Sequence, residues 1–471
     1  MDGVAAWESR WQPFERDESL EIPPERARAA LAELIERLED NYPFFHPDYA
    51  GQMLRPPHPV ALAAYAAAAR INPNNHALDG GPATAKLELE VVAQLATMFG
   101  YGPGHLGHLT SSGTIGNLEA LWVASRLKPG TKIAFSTEAH YTHARMCELL
   151  GVETVTLAVD RRGRIDMDAL RALGASRNVG TIVVTAGTTA AGAVDPIHEI
   201  AELACERGWR VHADAAYGGF FAIVAGDPQA KMDPAPWRAL KDCDSIVVDP
   251  HKHGLQPYGC GCVLFADERV AELYRHESPY TYYIESPRSA EARRSNSSLR
   301  SSRSAKADRS MIHLGEISLE CSRAGAAAAA LWTTLRCFPL DSSGLGGSLL
   351  ASRQAALAAY DCAIAGERIT PIVAPELDII ALLAAAPGEP ISAAAASRRA
   401  EAIFELCESD ARAPLYLAKW HLPEAFGRLA LPNVTWDAPS CTVLRSVLMK
   451  PEQRQRAPAL VARIEKAMNG L

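Results

Sequence analysis

The stretch from Ser245 to Cys262, SIVVDPHKHGLQPYGCGC, puts one lysine, Lys252, in a tight polar loop between two apolar runs. A lysine amine held among cationic or desolvating groups has a lowered pKa and can attack a carbonyl to form a Schiff base. His251 and His253 flank it. A loop lysine is more often a solvated surface charge, so the catalytic reading depends on its surroundings. Upstream, in WRVHADAAYGGFF, Asp214 closes another apolar run and is followed by small residues and a glycine pair. The interval of 38 residues between Asp214 and Lys252 is about one strand-helix-strand unit. A second feature is HLTSSGTIGNLEALWVASRL, where Ser111, Ser112, Gly113 and Thr114 precede an apolar-periodic stretch. A small-residue turn into a helix offers free N–H groups and a positive dipole end to an anion.

These residues need a scaffold, and the apolar runs supply it. SIVV reads as a buried strand and CVLF as its returning partner, which sets Lys252 at a strand end. TKIAFS, TVTLAV, TIVVTA and WRVHADAA read as further strands. Helical patterns lie between them, with Asp166 starting one that Gly174 stops, and Asp195 capping another that opens on Pro196. The alternation predicts an α/β fold, a mostly parallel central sheet with helices on both faces and ligands at the carboxyl ends of the strands. SLECSRAGAAAAALWTTLRCFPL reads as one long helix ended by Pro339.

HADAAYGG followed by DPHKHGLQPYGCG resembles the group II amino-acid decarboxylases, which use pyridoxal 5′-phosphate on the type I aminotransferase-like fold. The resemblance runs from about His46 to Lys450. It implies that Asp214 pairs with the pyridine nitrogen and keeps it protonated, making the cofactor an electron sink, and that Lys252 holds the cofactor as a Schiff base. It makes Ser112, Gly113 and Thr114 the phosphate site, with Ala216 and His251 as further cofactor neighbours. The family usually reads TSGG followed by a polar residue and Glu, so Ile115 is a departure that bears on the tuning of this loop. STEAHYTHARMCELLG is similar to the segment whose histidine stacks on the ring, which points to His140; a core histidine, or a metal pair with His143, are the alternatives. TAGTTAAGAVDPI resembles the loop beneath the cofactor and points to Thr189, with Thr188 as alternate. The resemblance makes Tyr282 the loop tyrosine that returns a proton to the substrate carbon, with Tyr280 as alternate, and Arg445 the ligand of a substrate carboxylate. It sets His76 near the substrate mouth and gives Arg323 a structural part.

The activity so implied is α-decarboxylation of an L-amino acid to carbon dioxide and the amine. A carbon–carbon lyase or an aldehyde-forming oxidative deaminase on the same fold is the alternative, and the presence of a loop tyrosine favours the amine. An aminotransferase would need a keto-acid partner. A non-catalytic scaffold would need neither Lys252 nor Asp214.

The chain has 471 residues, 48% hydrophobic and 22% charged, as in ordinary soluble proteins. A net charge of -8 argues against a general nucleic-acid binder. No apolar run is long enough to span a membrane, and MDGVAAWESRWQPF lacks the basic-then-apolar pattern of a signal peptide, so the cytoplasm is the expected compartment. The ten cysteines lack zinc-site spacing and read as reduced core residues. Residues 1–75 read as a helical arm, 76–338 as the large cofactor-binding domain and 339–471 as a small C-terminal domain. In the arm, Pro23 and Pro24 open a helix in which Ala27, Leu31, Leu34, Ile35 and Leu38 share an apolar face. A face with nothing of its own to cover it predicts a partner subunit, and the family resemblance implies a homodimer with shared active sites. Ser286 to Ser310 is rich in Arg and Ser inside an acidic chain, a solvated insertion or a lure for an anionic substrate.

Overall fold

The computed structural model describes residues 2–77, 80–174, 178–274 and 317–469. Tyr280, Tyr282 and the Ser286 to Ser310 segment lie outside the described residues.

The N-terminal region holds α1 (Asp2–Glu8), α2 (Pro24–Leu38) and α3 (Pro59–Ile71). Pro24 at the first helical position of α2 costs no hydrogen bond, because that N–H has no partner in a helix anyway. Leu31, Leu34, Ile35 and Leu38 on α2 are exposed. The following stretch is tied down: Ala50 N–H donates to Tyr416 O, and Lys450 Nζ donates to Tyr49 O. His58 caps α3, accepting from Val60 N–H, while its own N–H donates to Leu255 O in the lysine loop.

After α4 (Pro82–Met98) the chain builds a seven-stranded sheet from β1 (Leu106–Thr110), β2 (Lys132–Ser136), β3 (Thr154–Leu157), β4 (Val179–Thr185), β5 (Arg210–Asp214), β6 (Ser245–Val248) and β7 (Gly261–Phe265), in the spatial order 1-7-6-5-4-2-3. The pairs β2–β3, β2–β4, β4–β5 and β5–β6 are parallel, and β7 runs antiparallel to both β6 and β1. Helices α5 (Gly113–Leu127), α6 (Thr142–Leu150), α7 (Met167–Arg171) and α8 (Ile197–Arg207) connect the strands. Strands covered on both faces bury every residue, which is why β6 and β7 read as unbroken apolar runs. Ile182, Val184, Ile246, Val248, Phe220 and Phe221 form part of the main core.

The mostly parallel α/β sheet is as expected, with three local differences. The strand β1 has no counterpart in the expected set. LGHLT carries a central histidine, and His108 is accommodated by Glu119 on α5, 3.0 Å away, with both side chains fully buried. Asp195 does not cap α8, which starts at Ile197 with Pro196 at the cap position. Its buried carboxylate instead accepts from Ile165 N–H and Thr185 N–H, each at 2.7 Å, because those two amides have no strand partner there. SLECSR is not helical either, and the helix runs Gly325–Cys337. Arg323 Nη1 donates to Glu88 Oε1 and Leu109 O, and a Cβ at Gly325 would come within 2.4 Å of Thr84 Oγ1, so the chain bends there before it coils.

The helix Leu345–Ala365 leads into the C-terminal part, with strands β8 (Thr370–Pro371), β9 (Ile379–Leu383), β10 (Ile391–Ser392), β11 (Ala418–Pro423), β12 (Val434–Thr435) and β13 (Ser440–Val447). β11, β13, β9 and β8 form an antiparallel sheet in that order, covered by helices Ala393–Glu408 and Gln453–Met468. No helix among the described residues is long and apolar enough to cross a membrane.

Candidate active site

Because β1 runs parallel to β6 across the antiparallel β7, the carboxyl ends of β1, β2, β4, β5 and β6 all point to one edge of the sheet. That edge holds a cavity of about 420 Å³. Its wall includes Ser112, Gly113 and Thr114 after β1, His140 after β2, Thr189 after β4, Asp214 and Ala216 at the end of β5, and His251 and Lys252 after β6.

Asp214 is the best-anchored of these. His143 Nε2–H donates to Oδ2 at 2.9 Å, Asn117 Nδ2 donates to the same oxygen at 3.3 Å, and Ala216 N–H donates to Oδ1 at 3.1 Å. Burial alone would raise the carboxyl pKa, but the hydrogen bond from His143 and the charge of Lys252 work against it. The net effect holds the carboxyl well below the usual carboxylate range, so Asp214 is an anion. Behind it runs a chain of donors. A carboxylate only accepts, so Asn117 turns its amide toward Asp214 and its carbonyl oxygen toward His212 Nε2–H at 2.9 Å. His212 Nδ1 then accepts from Ser245 Oγ–H at 2.9 Å. His212 is thereby a neutral imidazole, and burial pushes its pKa down to about 3.

That depression has a stability consequence. The folded state refuses a proton that an unfolded histidine takes up below pH ~6.5, so stability is lost as pH falls from ~6.5 toward 3, by about 1.4 kcal/mol per pH unit. Burial raises Asp195 to about 7 and Asp378 to about 6, and these act with the opposite sign. Comparison with His212→Asn isolates the histidine: between pH 7 and 5 the variant is expected to lose about 2 kcal/mol less than the native protein, read from urea midpoints. A difference between the two proteins that does not change with pH would contradict this.

Lys252 Nζ lies 3.2 Å from Asp249 Oδ2, and its side chain is 21% exposed, toward the cavity that it lines. His251 Nδ1–H donates to Cys260 O at 2.8 Å, and its ring lies against Tyr258 at 4.7 Å. His140 is half-buried, with its ring 4.3 Å from that of Tyr141. Its Nδ1 accepts from Thr142 N–H and lies 2.6 Å from Thr142 Oγ1, leaving Nε2 to carry the proton; burial lowers its pKa. A neutral imidazole on the cavity wall can both pack on a flat ring and pass a proton.

Ser112 caps α5, its hydroxyl accepting from Ile115 N–H. Ile115 thus enters the turn through its backbone N–H. A Cβ on Gly113 would come within 2.6 Å of Asp249 Oδ2, so only glycine lets the turn lie this close to the lysine loop. Thr188 is buried, and its hydroxyl accepts from Ala193 N–H, while Thr189 is exposed on the wall.

Two residues stand apart from this wall. Arg445 Nε donates to Ala190 O at 2.9 Å and Nη2 to Thr189 O, so the guanidinium is engaged by the backbone of the Thr189 loop. His76 N–H donates to Asn74 Oδ1, in the Asn74–Arg323 region. Among the described residues no group of His, Cys, Asp and Glu could hold a metal ion, and His143 is the orienting partner of Asp214.

Sequence reasoning missed His143, Asn117, His212 and Asp249. One signal was there: on a strand of period two, His212 shares a face with Asp214. Asn117 lies one turn into α5 from Gly113, and His143 three residues beyond His140, spacings that gain meaning only when α5 and α6 are laid over the end of β5.

A family model described as "Pyridoxal-dependent decarboxylase conserved domain" matches residues 44–280. The chain is 32% identical over 232 residues to a protein of Methanothermobacter thermautotrophicus named "Probable L-tyrosine/L-aspartate decarboxylase", covering 49% of this chain and 62% of that one. It is 30% identical over 264 residues to the "L-aspartate decarboxylase" of Thermococcus kodakarensis, covering 55% of this chain and 67% of the relative. The match thus spans about three-fifths to two-thirds of the relatives' length. Among solved structures, mouse CSAD in apo form superposes with a TM-score of 0.75 at 18% identity, over 98% of this chain and 93% of that one. Oryza sativa TDC with PLP and tryptamine gives a TM-score of 0.75 at 18% identity, over 100% and 92%. At that identity the likeness is one of fold.

Proposed function

This chain belongs to the pyridoxal-dependent decarboxylase family, and from that premise we propose that it removes the α-carboxylate of an L-amino acid as carbon dioxide and releases the amine. The observation that carries the reading is Asp214: a buried carboxylate kept ionised by three donors, on one cavity wall with a partly exposed lysine amine and a helix-opening Ser-Gly-Thr turn.

These residues fit pyridoxal 5′-phosphate. Ser112, Gly113 and Thr114 would hold the phosphate, Asp214 would face the ring nitrogen and Lys252 would bind the carbonyl carbon, with Ala216, His251 and Thr189 as neighbours. Bound there, the cofactor supplies an electron sink for the pair released when the carboxylate bond breaks. Asp214 keeps a positive charge on the ring nitrogen favourable. His140 would pack on the ring face, and with its Nδ1 accepting from Thr142 N–H it has Nε2 left to carry a proton. Lys252 would hold the cofactor between turnovers and lies on the wall where a substrate amine would enter.

The names of two relatives, which include aspartate and tyrosine, support an acidic or aromatic L-amino acid as the substrate. Arg445 would serve a substrate carboxylate only by leaving the carbonyls of Thr189 and Ala190. Four exposed aliphatic side chains on α2 support a homodimer, since covering what each leaves open is worth roughly 1 kcal/mol; light scattering that finds a fully active monomer would overturn it. All ten cysteines are unpaired, which supports work in the reducing cytoplasm. Incubating cofactor-loaded protein with each common amino acid, with carbon dioxide and amine followed by mass spectrometry, tests the activity. No carbon dioxide from any of them would end the proposal.

Tyr282 is our choice for the group that returns a proton to the substrate carbon. Tyr282→Phe removes one hydroxyl and is expected to slow amine formation by ~100- to 10,000-fold, the worth of a positioned general acid, while carbon dioxide release persists. The unprotonated product would then be diverted to oxygen and water, yielding aldehyde and ammonia while oxygen is reduced to hydrogen peroxide. Separate assays of amine, aldehyde and carbon dioxide decide it. Unchanged amine formation in Tyr282→Phe, with collapse in Tyr280→Phe, would move the role to Tyr280. If neither change matters, His140 becomes the donor.

A further inference from the structure

Behind the cavity, the segment entering β9 docks on the large sheet through three consecutive residues. Glu376 Oε2 accepts from Val194 N–H at 2.6 Å. Leu377 packs on a pair of glycines from two different loops: a Cβ at Gly187 would come within 2.6 Å of Leu377 Cδ1, and one at Gly218 within 2.9 Å. Asp378, fully buried, accepts from Tyr217 Oη–H at 2.6 Å through Oδ1, and its Oδ2 lies 3.3 Å from His253 Nε2. The rings of Tyr217 and His253 are themselves 4.8 Å apart. Arg353 pins the segment from behind, donating from Nη1 to Pro375 O at 2.7 Å and to Leu377 O at 3.0 Å.

Tyr217 follows Asp214 by three residues and lines the cavity, and His253 is the next residue after Lys252. One carboxylate from the C-terminal part of the chain therefore reaches both loops that carry the two residues on which the proposed chemistry turns. We propose that Asp378 is a positioning residue that sets the register between the Asp214 loop and the Lys252 loop, so that cofactor capture depends on the docked Glu376-Leu377-Asp378 segment.

This rests on the reading of the cavity as a pyridoxal phosphate site. A buried carboxylate standing only for structure would be an expensive choice, since an apolar residue of similar size could fill the space. Burial raises its pKa to about 6, against the hydrogen bond from Tyr217 and the charges of Arg55 and Arg353 that favour the anion. The hydrogen bond from Tyr217 ties Asp378 to the cavity wall, and the buried imidazole of His253, next to Lys252 in the chain, packs between the rings of Tyr217 and Phe221 with Nε2 3.3 Å from Asp378 Oδ2.

The test compares Asp378→Asn, Tyr217→Phe and the double variant with the native protein, using pyridoxal phosphate as the probe. Both single changes preserve volume. Cofactor affinity of the stripped protein, the visible band of the loaded protein across pH, and kcat and KM are measured together with melting of the stripped protein. Asp378→Asn is expected to weaken cofactor binding ~10-fold, about the worth of one hydrogen bond to a charged group, and to move the pH midpoint of the visible band. It should lower kcat with KM unchanged, since Asp378 lies behind the wall and does not touch substrate. Tyr217→Phe should do the same to a smaller degree, and the double variant should be no worse than Asp378→Asn, as coupled neighbours behave. A lowered melting temperature with native cofactor affinity, band and kcat would make Asp378 merely structural and overturn the proposal. Failure of the native protein itself to bind pyridoxal phosphate would instead overturn the reading of the site, and this inference with it.

Discussion

Lys252→Ala is expected to leave a folded protein that forms no covalent link to pyridoxal phosphate and turns over amino acid at least ~10,000-fold more slowly. The side chain is only partly buried, and its one close polar partner is Asp249 at 3.2 Å, so the fold loses little with it. The chemistry loses its only lysine: among the described residues no other lysine lines the cavity. Borohydride reduction of the loaded native protein, followed by peptide mapping, should put the label on Lys252 alone. A label on another lysine would refute the assignment, and a variant that still turns over at the native rate would refute the mechanism.

Asp214→Ala is expected to hold the cofactor more weakly and to lose ~100- to 1,000-fold in turnover, the range seen when a preorganised electrostatic partner is removed. Without the carboxylate, His143 and Asn117 would aim donors at a ring nitrogen that needs its own proton. Asp214→Asn separates charge from shape: it should bind cofactor better than the alanine variant while remaining as slow. Normal turnover in either would contradict the proposed role.

Much of the scaffold was legible because strands covered on both faces must be apolar throughout, and TIVVTA, SIVVD and CVLFA have no other use in a folded chain. Lys252 and Asp214 stood out as ionisable residues where such runs stop. What escaped were polar residues whose partners are far away in sequence. His108 breaks the apolar pattern of β1, and only the fold brings Glu119 of α5 within 3.0 Å of it. Asp195 had the right type and position for a helix cap, yet two unpaired amides claimed its oxygens. His143 and Asn117 could not be told from ordinary helix residues, since their role lies in the direction each points across to β5. The resemblance made Arg445 a carboxylate ligand, and the carbonyls that its guanidinium also meets are backbone, which carries no signature in sequence.

The strand order 1-7-6-5-4-2-3 also bears on how the molecule comes into being. The turn at Ser112 depends on β1, and β1 finds its place only by pairing with β7, whose residues are made some 150 positions later: Leu106 pairs with Phe265 and Thr110 with Gly261. Closing so long a loop is slow, and the contacts that repay it come only once the intervening strands are in order. The half-sheet β2 to β5 can assemble from neighbours during synthesis and carry Asp214 and His140, but not the phosphate turn or Lys252. On a ribosome, the chain has no use for its cofactor until β7 has emerged, and vitamin binding becomes a late seal on a nearly finished fold.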